Sequence, residues 1–126
     1  MDLLFKNFST GYESNLIISD LNLKIKSGEW IGIIGANGCG KSTLLKGISK
    51  IIPIKNGDVL FNSSNIKVLS TKKIAKIVSY LPQKINPNLP ITVKELVSLG
   101  RSPHKYFWEF DLNKNDLSII DEALEL

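Results

Sequence analysis

A single cysteine, Cys39, leaves the chain without an intrachain disulfide and fits a reducing compartment. No apolar run approaches the ~18 residues that a membrane-spanning helix needs, and Met1-Asp2-Leu3-Leu4-Phe5-Lys6 lacks the layout of a signal peptide. Low-complexity tracts and internal repeats are missing too. Basic side chains exceed acidic ones, 16 to 12 for a net charge of +4, but they are scattered. Lys72, Lys73 and Lys76 are the exception and read as one solvated helix face. With no aromatic platform interleaved they do not make a nucleic-acid patch, and no nucleic-acid partner is expected. What remains is a globular composition, 43% hydrophobic and 22% charged over 126 residues, with room for one domain of ordinary size in the cytoplasm.

Against that background one stretch carries chemistry. Gly35-Ala36-Asn37-Gly38-Cys39-Gly40-Lys41-Ser42-Thr43 fits G-x-x-x-x-G-K-[ST], the phosphate-cradling P-loop. Trp30-Ile31-Gly32-Ile33-Ile34 precedes it, short and β-branched as a buried parallel strand should be. Leu44, Leu45 and Ile48 follow at helical spacing, so strand, glycine loop and helix come in the order the motif requires. Glycines let successive N–H groups turn onto phosphate oxygens with no Cβ in the way. The helix adds its unpaired N–H groups and the positive end of its dipole. Lys41 is then expected at the β- and γ-phosphates, the Ser42 hydroxyl on Mg²⁺ and Thr43 at the α-phosphate. The chain should therefore bind a nucleoside triphosphate.

Ahead of the loop, Leu3–Phe8 reads as a strand and Ser9-Thr10-Gly11 as its exit, with Tyr12 in a polar segment. Asp20–Lys26 alternates strictly, so one face should be buried, and Ser27-Gly28-Glu29 turns the chain into the P-loop strand. Beyond the P-loop helix, Ile51-Ile52-Pro53-Ile54 ends the helix and Asn56-Gly57 makes a turn. Asp58–Phe61 is the next strand and Asn62–Asn65 a loop. Ser70 caps a short helix through Ala75, and Ile77–Leu81 is again strand-like.

The lead-in Tyr12 … Ile18-x-x-Leu21-x-Leu23-x-Ile25-x-x-Gly28-Glu29 and the P-loop behind it resemble the first half of an ATP-binding-cassette (ABC) ATPase. The resemblance implies an α/β fold: a P-loop NTPase core of ABC type with an N-terminal antiparallel β-ribbon and the start of a helical subdomain, an incomplete domain. It implies that Tyr12 stacks on adenine, a use that suits a base-tolerant π platform. Gln83, after Leu81-Pro82, matches the family's Q-loop glutamine, which the resemblance places at Mg²⁺ and the attacking water. The implied ligands are ATP and Mg²⁺. Residues 1–90 correspond to the nucleotide-binding core and residues 91–126 to the beginning of the helical subdomain, with a Pro/Asn-rich seam, Lys84–Pro90, expected to be mobile.

Thr92-Val93-Lys94-Glu95 is a capping box with Ile91 and Leu96 placed as its hydrophobic staple, and Gly100 is a C-terminal stop. Within the family, Thr92-Val93-x-Glu95-Leu96-Val97-x-x-Gly100-Arg101-x-Pro103-His104, together with Cys39 and Pro82-Gln83, is similar to importers of the iron-siderophore, haem and cobalamin type. The cluster Tyr106, Phe107, Trp108 and Phe110 admits two readings, a subdomain core or the groove that receives a transmembrane partner. His104 is read as a structural loop residue, because the family's switch histidine lies far downstream.

Ile119-Ile120-Asp121-Glu122 imitates the end of a Walker B strand. Asn113-x-x-Asp116 is nevertheless a helix start, and Leu117, Ile120, Ala123 and Leu124 recur at helical spacing, so a helix is expected. Leu-Ser-Gly-Gly-Gln, the family's signature, is missing, as are the Walker B strand, catalytic Glu and switch His. A truncated product is expected, which binds ATP and hydrolyses it negligibly. The complete protein would pair with a second ATP-binding subunit and with transmembrane permease subunits, peripherally on the inner face of the cell membrane. A soluble ABC-type ATPase not tied to transport is the alternative.

Overall fold

In the computed structural model, which describes residues 1–83, 90–106 and 111–125, the first strand is the centre of the sheet. β1 (Leu3–Tyr12) lies between β2 (Asn15–Ile25) and β3 (Ile54–Phe61), and β4 (Ser64–Asn65) completes an all-antiparallel sheet of order β2-β1-β3-β4. Phe5 stands opposite Leu23 on one side and Val59 on the other. Phe5, Phe8, Val59, Phe61, Ile66 and Ile74 form the buried core. Phe5 and Phe8 meet edge to face at 5.4 Å, the arrangement that ring quadrupoles favour.

Both ribbon strands are longer than their hydrophobic patterns suggest. Ser9, Thr10 and Gly11 continue β1 rather than leaving it, and Tyr12 pairs with Asn15 at the hairpin tip. Asn56-Gly57 is not a turn but an irregularity inside β3. Asn7 and Phe8 stand there opposite Gly57, between the Lys6↔Asp58 and Ser9↔Asn56 pairs. Asn7 and Gly57 both take positive φ, and a Cβ on Gly57 would fall 2.1 Å from the Asn7 carbonyl oxygen. Only glycine fits, which is the usual meaning of glycine inside a strand. The loop expected at Asn62–Asn65 is instead a two-residue hairpin, with Asn62 and Ser63 both at positive φ.

The strand expected at Trp30–Ile34 does not form. Trp30 is 99% and Ile34 97% exposed, and no described strand pairs with the segment. A parallel strand owes its stability to ladders and apolar cover on both sides, and β-branched residues alone do not supply them. Ile77–Leu81 fails for the same reason and runs as turn and coil.

α1 (Lys41–Ile48) closes with the Lys50 N–H on the Gly47 carbonyl and the Ile51 N–H on the Lys46 carbonyl, with Lys50 in the left-handed region at φ 55°. The Lys50 ammonium donates to the carbonyls of Ile66, Lys67 and Leu69 at 3.2, 3.1 and 2.6 Å, tying the helix end to the chain behind β4. Pro53 follows as the expected stop. α2 (Thr71–Ala75) starts at Ser70, whose hydroxyl accepts from the Lys73 N–H.

Met1–Tyr80 and Leu81–Leu126 are two compact units. In the second, α3 (Val93–Ser98) opens on the expected capping box: Thr92 Oγ1 accepts from the Glu95 N–H and the Glu95 carboxylate from the Thr92 N–H. Ile91 and Leu96, its expected staple, are both exposed. Gly100 is not a left-handed stop, since the chain tightens after Ser98 into a 3₁₀ helix, Leu99–His104, that contains Pro103. α4 (Lys114–Leu124) is the helix expected over the imitation Walker B, and Asp121 lies on its surface, paired with Lys94 at 2.8 Å. Most of the Lys84–Pro90 seam, together with Phe107, Trp108, Phe110 and Leu126, lies outside the described residues.

Asp116 ties this unit together. Its side chain is 3% exposed; it accepts from Arg101 Nε at 2.9 Å, is ion-paired to Lys105, and closes a capping box with Asn113. The Lys105 hydrogen bond, against the effect of burial and with help from Arg101 and the Asn113 N–H, brings its carboxyl from the ordinary 3.8 down to about 2. A depressed carboxyl contributes stability that is complete above the unfolded value and is lost as pH falls through the folded one. The thermal midpoint should therefore fall between pH about 4 and about 2. Circular dichroism melts of the wild type and Asp116→Asn should show that fall much reduced in the variant, and equal slopes would contradict it.

Candidate functional site

The loop Gly35–Thr43 is exposed up to Cys39 and enters α1 through the buried Gly40. Gly38 at φ 82° and Gly40 at φ 101° hold conformations that side chains rarely take. Gly40 is the N-cap of α1 and has no side chain to satisfy the first N–H groups of the helix, which are left for an outside acceptor. One internal bond, from the Cys39 N–H to the Ala36 carbonyl at 3.3 Å, shapes the turn. Lys41 reaches back over it, its ammonium donating to the carbonyls of Gly35 at 2.7 Å and Ala36 at 2.8 Å, with the Cys39 sulfur 3.8 Å away. The loop thus surrounds its own cation. Ser42 is exposed and Thr43 is buried.

The sheet positions this loop by close approach. A Cβ on Gly40 would lie 2.9 Å from both Ile17 Cγ2 and Ile18 Cδ1 of β2. One on Gly47 would lie 2.9 Å from Phe8 Cζ and 3.0 Å from Thr10 Cγ2 of β1. Both ends of α1 are therefore seated on the β1–β2 hairpin. That brings the hairpin tip beside the helix, where Tyr12 is 44% exposed and Lys46 Nζ is 3.4 Å from its hydroxyl and 5.8 Å from its ring centroid.

Of the residues singled out by sequence, Tyr12 and Gly35–Thr43 fall in one unit around α1. Gln83 is exposed and belongs to the other unit. Sequence reasoning gave no role at the loop to Lys46, Ile17 or Gly47, and took Ile18 only as part of the lead-in. Gly47 did carry a signal, because glycine inside a helical pattern weakens the helix by about 1 kcal/mol and usually has a packing reason. The Arg101–Lys105–Asp116 knot was also missed, and no spacing rule predicts it, since its members meet only through the 3₁₀ turn.

Chemically the loop is an anion receptor: unpaired N–H groups at a helix start, a positive dipole end and an ammonium. Among the described residues no group of three or more His, Cys, Asp or Glu could hold a metal on its own. A divalent cation here would need oxygens from a bound anion as well as from the chain.

Comparison with known proteins gives one answer. The family described as ABC transporter matches residues 18–125. The chain is 45% identical over 115 residues to the iron(3+)-hydroxamate import ATP-binding protein FhuC of Bacillus subtilis (strain 168), covering 91% of this chain and 42% of that protein. It is 39% identical over 109 residues to the petrobactin import ATP-binding protein FpuC of Bacillus anthracis, covering 86% and 40%. Similarity extends to the ferric enterobactin transport ATP-binding protein FepC of Escherichia coli (strain K12), at 35% identity over 95% of this chain and 44% of that one. The chain thus spans less than half the length of these relatives. Among solved structures, a putative ABC transporter ATP-binding protein from Pyrococcus furiosus superposes with TM-score 0.68 at 27% identity, over 100% of this chain and 58% of that one.

Substitution of three glycines separates backbone strain from packing. Gly40→Ala combines a left-handed φ with contact on Ile17 and Ile18 and should destabilise by about 1–3 kcal/mol in urea titrations. Gly38→Ala, left-handed but open, should lose about 1 kcal/mol, and Gly32→Ala, open and ordinary in φ, almost nothing. Equal losses at all three would show that the loop does not hold this shape.

Proposed function

The chain belongs to the ABC transporter family, and from that premise we propose that it is the nucleotide-binding part of the ATP-binding subunit of an importer for a metal chelate of the iron-siderophore kind. The observation that carries this reading is the loop itself: two left-handed glycines, an uncapped helix start and a lysine directed into the turn. A triphosphate suits such a cradle, because a Cβ at Gly38 or Gly40 would strain it and the start of α1 has no side-chain cap. The siderophore class is supported by the import roles that FhuC, FpuC and FepC are named for.

In this reading the N–H groups of Gly40–Thr43 at the start of α1 donate to phosphate oxygens, and Lys41 exchanges its carbonyl partners for the β- and γ-phosphates. Tyr12 offers its exposed ring to adenine. Mg²⁺ would be held by the Ser42 hydroxyl and, by the family match, the Gln83 amide oxygen, with phosphate oxygens completing its shell. When bound, it neutralises charge on the phosphates. Gln83 would also orient the attacking water. ATP binding would draw this subunit onto a second copy, and that closure would move transmembrane permease subunits from the cytoplasmic face of the membrane. No described helix is long and apolar enough to cross a membrane. Hydrolysis by these 126 residues alone would be negligible, since the sequence has no Leu-Ser-Gly-Gly-Gln signature.

Titration calorimetry should show ATP·Mg²⁺ binding that Lys41→Ala weakens by about 10- to 100-fold, the worth of a charge-assisted bond, with little phosphate released by either chain. Binding unaffected by Lys41→Ala would sink the nucleotide assignment, and steady phosphate release that vanishes in Lys41→Ala would sink the claim of inactivity. Cys39, exposed in the turn, should be alkylated more slowly by iodoacetamide when ATP·Mg²⁺ is present. Equal rates would place the nucleotide elsewhere.

A further inference from the structure

We propose that Lys46 is a positioning residue for the base: it holds Tyr12 as a stacking platform and thereby contributes to affinity for ATP but not for the phosphates. The inference rests on the nucleotide reading above and adds to it a residue outside the loop motif. Lys46 Nζ lies 3.4 Å from the Tyr12 hydroxyl oxygen and 5.8 Å from the ring centroid, so the ammonium sits beyond the polar tip, where it donates to the hydroxyl and leaves both faces of the ring open.

The geometry gives this contact a purpose beyond surface decoration. Tyr12 closes the β1–β2 hairpin next to Glu13 at φ 45° and is 44% exposed. A hydrogen bond to its hydroxyl narrows the choice of rotamer. Lys46 can make that choice because its own backbone is pinned: its carbonyl accepts from the Ile51 N–H at 2.9 Å where α1 ends. Five residues separate Lys46 from Lys41, about 7.5 Å along a helix axis. The same helix therefore carries the ammonium of the loop at one end and the ammonium that holds the Tyr12 hydroxyl at the other. Gly40 seated on Ile17 and Ile18, and Gly47 on Phe8 and Thr10, prevent the hairpin and helix from sliding apart.

Calorimetry with two probes, ATP·Mg²⁺ and inorganic tripolyphosphate·Mg²⁺, tests this on the full chain. Lys46→Met keeps the length and helix propensity of the side chain and removes its charge. It should weaken ATP binding about three- to fivefold, the weight of a long exposed hydrogen bond, and leave tripolyphosphate unchanged. Lys46→Arg should restore ATP affinity. In a Tyr12→Ala background, Lys46→Met should have no further effect, because the two residues act as one. Loss of both probes together in Lys46→Met would make Lys46 a phosphate contact and overturn the proposal, as would additive losses in the double variant. Failure of the unsubstituted chain to bind either probe would instead overturn the nucleotide reading itself.

Discussion

Gly47 has no side chain, and the sheet closes onto it: Phe8 Cζ and Thr10 Cγ2 come within 3.0 Å of where a Cβ would stand. That approach lets a short helix bear on a twisted strand with almost no gap, which matters because packing attraction falls away over fractions of an ångström. The rest of the first unit depends on it. With α1 held against β1, its N-terminal glycine meets Ile17 and Ile18 of β2, and its far end is tied down by Lys50 on three carbonyls. The helix behind the P-loop is thus fixed at both ends, and the loop enters it through a glycine whose left-handed conformation leaves room for Ile17 and Ile18.

The same dependence explains which parts are unsupported. Trp30–Ile34 carries the residue types of a buried strand, yet strand formation is decided by partners, and none of the described residues supplies a ladder. The antiparallel ribbon needs only its own hairpin and β3, so it forms completely. Local chain connectivity provides those partners, whereas a parallel strand must recruit neighbours from distant segments.

Among the described residues of the second unit, a polar knot joins the 3₁₀ turn to the last helix. Asp116 takes up Arg101 and Lys105 while capping its own helix, so one carboxylate orients the 3₁₀ turn and the start of α4 together. Ion pairs at such sites specify geometry more than they stabilise it. Arg101, which first drew notice as part of a family-like motif, has a structural use within this unit.

The glycine loop, the helix behind it, the capping box at Thr92, the helix start at Asn113 and the helical character of Ile119–Leu124 were legible in the sequence, because each is governed by residues a few positions apart. Glycine at positive φ, an acceptor three residues from its donor and a 3.6-residue period are local properties. The extent of β1 through Tyr12, the bulge at Gly57 and the loss of Trp30–Ile34 as a strand were not legible. Each depends on what lies across a ladder from the segment. Lys46 beside Tyr12 is the same kind of fact: the residues are far apart in the chain and meet because glycine lets a helix settle onto a hairpin. The sequence by itself determined that a glycine loop with a lysine behind it would lead into a helix, since loop conformation is local. Only the tertiary structure decided what braces it, since packing depends on distances that no linear pattern encodes.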